Sequence, residues 1–283
     1  MLTFDSMASE KPIRYVRPHQ PLSDWLRQLY ARRETLWFFV WKDFKVQYNN
    51  PIFGIIWSVF QPLVYFGIIL LVMNVSGRNM NNSEMPFPVY LICGLAVWNF
   101  STSAILGATT SMQANSGIIS KSFFPRFYLI LAPLLRSSID LIIVLAICFG
   151  IAIFYGQTVR LESITFIPNL LVLLWLTTLG WASIAAAATI WNRHIRHVIP
   201  IVLYAMIFVL PVFYSVHSLE NASLDLIYSN NPIAGSMDYL RACFSPKAPN
   251  SSQLIMWLLQ SLVWVMVGVV VIRKMEKSVA DKV

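Results

Sequence analysis

Arg136 and Asp140 stand four residues apart in an apolar run, the spacing at which two side chains meet on one face of a helix. Ionisable groups at membrane depth mark a transport path by default. The two can also neutralise each other, and a structural ion pair is the first reading, a transport role the second. His194 and His197 have the spacing of a metal pair, but they share a short basic stretch with Arg193 and Arg196 and have no carboxylate close in sequence. No metal site is expected there. The chain has no G-x-x-x-x-G-K-S/T loop and no Gly-Lys dipeptide, so the usual phosphate cradle for a nucleotide is missing. Glu84, Glu162, Glu220, Asp225 and Asp238 form no close pair, and no nucleophile motif occurs. The sequence therefore reads as a non-enzyme with no catalytic residues and no cofactor of its own.

The elements that position these groups must live in lipid. Of 283 residues 57% are hydrophobic and 12% charged, against about 25% charged in a soluble domain. Six apolar runs approach or reach the roughly 20 residues that cross a bilayer as helix: Phe53 to Met73, Val89 to Met112, Phe127 to Tyr155, Phe166 to Trp191, Val198 to Tyr214 and Leu254 to Ile272. They lack the alternation of barrel strands, which leaves an all-α polytopic membrane protein. Outside the spans, sixteen Lys and Arg fall on the face that holds both termini and four on the other, Arg78, Arg160, Arg241 and Lys247. Basic residues are retained in the cytoplasm, so the termini are expected there. The net charge of +8 is then a topology signal, not a sign of nucleic-acid binding. Met1 to Gln20 is polar and lacks the apolar core of a signal peptide.

Four regions follow: a cytoplasmic tail over 1–21, an interface-helix region over 22–50, a six-helix domain over 51–273, and a tail over 274–283. Between Leu22 and Tyr48 the apolar residues Leu22, Trp25, Leu26, Leu29, Leu36, Trp37, Val40, Trp41 and Phe44 recur three and four apart. An amphipathic helix lying in the headgroup plane is expected, either as a simple anchor or as a dock for a cytoplasmic partner. On the outer side, Leu224 to Ser229 and Ile233 to Phe244 flank a turn at Asn230, Asn231 and Pro232. Each piece is too short to cross, so both read as re-entrant helices, within about 222–246.

The second span carries Asn99, Ser101, Thr102 and Ser103, which suits either helix packing or a conduit wall. The run from Gly180 to Ala188 is a smooth face for close helix approach. Ten Trp, eleven Tyr and eighteen Phe exceed what two interfacial belts need. Trp57, Tyr65, Phe66, Trp98 and Phe100 are the candidates for a substrate channel, where a ring can stack on the C–H face of a sugar; core packing is the competing role for each.

The series Lys42, Asp43, Lys45, Tyr48, Gly54, Trp57 and Pro62 resembles the opening of the permease subunits of bacterial polysaccharide ATP-binding-cassette exporters. The stretch Ile118 to Arg126, with Lys121, Phe123, Phe124, Pro125 and Arg126, is similar to that family's Leu-Ile-x-Lys-x-x-Phe-Pro-Arg loop. Asn192 to His197, then Pro211 to Tyr214, then Asn231-Pro232 with Arg241, continue the likeness in order. Departures are Asn50 to Phe53 before Gly54, and His194 where Asp is common. The resemblance implies a homodimer in the bacterial inner membrane, paired with two ATPase subunits that bind ATP and Mg. It would export a lipid-linked polysaccharide, O-antigen first, with capsule, teichoic acid or a small hydrophobic compound as alternatives. By the same resemblance, Trp25, Arg27, Arg32, Lys121, Phe123, Phe124, Pro125 and Arg126 would couple the chain to the ATPases.

Overall fold

The computed structural model of the chain describes residues 22–48, 51–76, 85–115, 117, 124–157, 161–214, 228–245 and 249–280, with the side chains at 51–55, 57–59, 161–164 and 276–280 left outside the description. The described residues form helices joined by turns. In chain order these are α1 (Leu22–Ala31), α2 (Arg33–Tyr48), α3 (Pro51–Val75), α4 (Phe87–Ala114), α5 (Tyr128–Phe154), α6 (Leu161–Trp191), α7 (Ile195–Val209), α8 (Pro232–Ala242) and α9 (Ser251–Ala280).

Four of the six expected spans, in α4, α5, α6 and α9, are long and apolar enough to cross a membrane. Phe60–Val75 of α3 and Ile195–Val209 of α7 are shorter apolar stretches. Their exposure differs in a way that sets the architecture. The apolar window of α4 is 78% buried inside the protein and that of α9 only 22%. α4 is thus the hub, packed on α5 and α6, while α9 lines the edge of α6.

The small-residue run of α6 is what lets α9 approach. Ala182, Ser183, Ala186 and Ala187 are buried, and a Cβ added at Gly180 would stand 2.7 Å from the backbone carbon of Trp264. Thr177 and Ser261 share a hydrogen bond of 2.7 Å across the same seam, so the backbones pack closely with a polar clasp.

The segment before α3 is not one helix. It breaks at Arg32, whose amide donates to Gln28 O while the Thr35 amide donates to Arg32 O, a local turn that redirects the chain. After the break the apolar residues of α2 no longer form one stripe. Phe39 and Val40 are buried, whereas Trp37, Phe38 and Trp41 are exposed. Phe39, which lies outside the sequence stripe, is the anchor: its ring sits 5.2 Å from that of Phe124.

Of the two outer pieces expected to be short helices, the second is observed as α8, and all of the first except Tyr228 and Ser229 lies outside the described residues. Asn231 caps α8 by accepting hydrogen bonds from the amides of Ile233 (2.9 Å) and Ala234 (3.5 Å), and Pro232 opens its first turn. α8 is buried on nearly every side against α4, α6 and α9. Trp257 Nε1 donates to Ser229 O at 2.7 Å and fixes the entry to it.

Candidate functional site

α3 touches the rest of the bundle only lightly: Phe60, Val64 and Leu71 face outward, and Tyr65, Ile68 and Val72 are left exposed by a gap on its inner side. Between it and the α4–α5 pair lies a half-open cavity of about 1700 Å³, bordered at its sides by α2 and α7. The wall is mixed. Tyr65 and Phe213 supply aromatic surface, Trp98 and Phe100 border the cavity while buried in the core, and Gln61, Asn99, Thr102, Ser103, Arg136 and Asp140 supply polar groups.

The polar groups are organised by helix register. Asn99 and Ser103 are one turn apart on α4, and Arg136, Ser137 and Asp140 occupy the facing turns of α5. Arg136 Nη2 donates to Ser103 Oγ at 2.8 Å and to Ser137 Oγ at 3.4 Å, and Ser137 Oγ donates to Ser103 Oγ at 3.1 Å. Asp140 turns elsewhere: its oxygens accept from Tyr48 OH at 2.5 Å and from Gln47 Nε2 at 3.5 Å. The ion pair expected between Arg136 and Asp140 is therefore not formed. The spacing puts both on one face, but α2 and α4 offer each of them a closer partner.

α2 is sewn into this wall at a second point. Lys42 Nζ donates to Asn115 Oδ1 at 2.5 Å, at the end of α4, and stands 4.0 Å from Asp43. Burial pushes the Asp43 carboxyl above its usual range, with the positive charges of Lys42 and Arg136 pulling it back. The helix outside the spans thus borders the cavity at Lys42 and holds Asp140 of its wall through Tyr48.

α1 docks near the same end of the bundle. Trp25 is buried, with its ring 5.3 Å from Phe127 at an edge-on angle and the Arg273 guanidinium 6.0 Å from its face. Tyr128 OH donates to Leu29 O. Arg27 and Arg32 are exposed beside this contact, and Phe124, Pro125 and Arg126 are half-buried at the start of α5. The structure thus gathers Trp25, Phe124, Pro125 and Arg126 around one junction, while Lys121 and Phe123 lie outside the described residues. Among the channel candidates it brings Tyr65, Trp98 and Phe100 to the cavity. Phe66 packs against the core instead, and the Trp57 side chain lies outside the described residues.

At the opposite end of α4 the chain builds a node that charge counting does not show. Arg241, counted by sequence among the basic residues of the face away from the termini, is only 5% exposed. Its Nη2 donates to Pro211 O (2.7 Å) and Val212 O (3.0 Å), its Nη1 to Asp238 Oδ1 (3.0 Å), and its Nε to Tyr90 O (3.4 Å). The guanidinium also lies 3.5 Å from the Tyr90 ring centroid. It is one cation tying α8 to α4 and to the chain leaving α7. Gly94 makes room: a Cβ there would stand 2.5 Å from Val212 O and 2.8 Å from Arg241 Nη2.

Comparison with known proteins fits this geometry. Residues 34–245 match the family model described as ABC-2 type transporter. A protein of Klebsiella pneumoniae named O-antigen export system permease protein RfbA is 23% identical over 244 residues, 85% of this chain and 91% of the relative. A Myxococcus xanthus protein of the same name is 24% identical over 222 residues, 77% of this chain and 83% of its own length. The matched region takes in all of α2 but its first residue, the cavity and the whole Arg241 node in one continuous stretch, and a multi-pass helical membrane protein matched over so much of its length belongs to the ABC-2 type transporter family.

Proposed function

We propose that the chain is the membrane-spanning permease of an ATP-driven exporter that carries a lipid-linked polysaccharide, O-antigen above all, across the bacterial inner membrane. The observation that carries this reading is the likeness, over 85% of the chain, to proteins named as O-antigen export permeases. The cavity supports it. A glycan is dense in hydroxyls, and each one stripped of water without a partner costs about 1–3 kcal/mol, so the polymer needs a wall that offers hydrogen bonds and ring faces together.

In this reading α3 and α7 join the four long helices as fifth and sixth spans. The 25 residues of α3 rise about 37 Å at 1.5 Å each, enough for a hydrocarbon core of about 30 Å. α8 is the re-entrant helix at the exit. Both termini are cytoplasmic. The apolar outward faces of α3 and α7 meet lipid or a second copy of the chain, which makes the permease a homodimer and turns two cavities into one conduit. ATP and Mg belong to two partner ATPase subunits that dock where α1, α2 and the start of α5 converge, with Arg27 and Arg32 exposed toward them.

The test is export by the assembled permease–ATPase complex carrying Tyr65→Ala, since Tyr65 lines the cavity and is 40% exposed. Loss of one stacking ring of ~0.5–1.5 kcal/mol slows export about two- to tenfold, with the complex still assembling. An unchanged rate removes Tyr65 from the conduit. A chain that never associates with an ATPase, or a loss of drug resistance with normal surface glycan, sinks the reading itself.

A further inference from the structure

We infer that the cavity contains an anion seat, built from Arg136, Ser103, Ser137 and Asn99, that takes a phosphate or diphosphate group. The inference rests on the export reading for the cargo's identity and on the side-chain geometry for the site.

Arg136 is a guanidinium inside a span, and both hydrogen-bond partners it has are neutral hydroxyls, Ser103 at 2.8 Å and Ser137 at 3.4 Å. A cation at membrane depth is costly and normally pairs with a carboxylate. Among the described residues two carboxylates share the cavity, yet neither closes on it. Asp140 is occupied by Tyr48 and Gln47. Asp43 stands beside Lys42 at 4.0 Å, and the Arg136 charge reaches it without closing an ion pair. The two serines hold the guanidinium in place through one nitrogen, leaving the rest of its planar fork for an oxyanion.

One turn along α4, Asn99 faces the same cavity, and its Nδ2 is buried without a hydrogen-bond partner. A buried donor left unmade is costly and calls for an acceptor. Guanidinium fork, amide donor and rotatable hydroxyls together match a tetrahedral anion with several acceptor oxygens. The opposite wall, with Ile68, Ile69 and Val72 on α3, is apolar and suits an alkyl chain attached to that anion. The phosphate can come from the lipid anchor of the cargo or from the glycan itself.

The experiment uses the full chain in nanodiscs of phosphatidylcholine. It compares binding of an isoprenyl diphosphate, the matching isoprenyl alcohol, and inorganic diphosphate as competitor. The diphosphate lipid is expected to bind at least about tenfold more tightly than the alcohol, the order of one charge-assisted bidentate contact. Arg136→Gln removes that preference and leaves alcohol binding unchanged, and Arg136→Lys keeps part of it. Competition by inorganic diphosphate at the affinity of the lipid assigns recognition to the anion alone, and weak competition assigns it to anion and chain together. Equal binding of diphosphate and alcohol by the wild type, or an Arg136→Gln protein that retains the preference, overturns the seat. If Arg136→Gln does not fold, Ser103→Ala with Ser137→Ala decides, because the preference then falls at least about threefold or the seat is wrong. Failure of the wild-type complex to export glycan would sink the export reading while leaving the anion preference standing.

Discussion

Arg241→Leu is expected to cost the folded chain roughly 3–5 kcal/mol, the range for removing one partner of a buried charged network. Leucine fills much of the volume but leaves the carbonyls of Pro211 and Val212 facing an apolar side chain, each of which costs about 1–3 kcal/mol when buried and unpaired, while Tyr90 O, inside α4, keeps its helix partner. The ring face of Tyr90 loses its cation as well. Asp238 adds little, because its side chain is 57% exposed and water replaces the lost partner. The loss is felt by three elements, since the guanidinium joins α8, the start of α4 and the chain leaving α7, although α8 keeps its direct packing on α4 and Tyr90 OH still donates to Tyr214 O at 2.8 Å. The measurement is the thermal midpoint of the purified protein in detergent, with the recovered folded fraction beside it. Arg241→Lys should fall between wild type and Arg241→Leu, since an ammonium has no planar fork to span two carbonyls. A midpoint for Arg241→Leu equal to wild type would show that the node does not hold the fold.

Trp25→Ala has the second largest expected effect, and it is functional more than global. Trp25 is the buried anchor of α1, held edge-on against Phe127 with Arg273 over its face. Large aromatic truncations in a packed site cost about 3–5 kcal/mol, here concentrated on the docking of one ten-residue helix. Such a helix is too short to persist alone, so its order depends on that contact. The four long helices should survive while α1 releases from the start of α5. Recovery of the ATPase partner by co-purification should then fall by about tenfold or more, with the melting of the bundle little changed. Wild-type recovery of the partner would remove α1 from the docking site proposed for the ATPase.

How much of this was legible in the sequence depended on the range of the interaction. The long helices followed from apolar runs, since lipid leaves the backbone no other way to satisfy itself. The close face at Gly180 to Ala187 followed from residue size alone. The break at Arg32 did not, because α2 is apolar on two sides and a period-based stripe extends across the break without showing it. The role of Arg241 was hidden for a similar reason: a charge count gives a cation a face but not its partners, and the carbonyls of Pro211 and Val212 around it are thirty and twenty-nine residues away. Arg136 and Asp140 had the right register and the wrong partners. Tyr48 lies 92 residues from Asp140 and Ser103 lies 33 from Arg136, and no local pattern reports pairs at those separations.

The most direct measurement of the export reading is the sidedness of lipid-linked glycan in cells lacking this gene. Export by this permease predicts that completed lipid-linked polymer accumulates on the cytoplasmic face of the inner membrane and disappears from the outer face, with restoration by the wild-type chain. Polymer reaching the outer face at the normal rate in the deletion strain would contradict it.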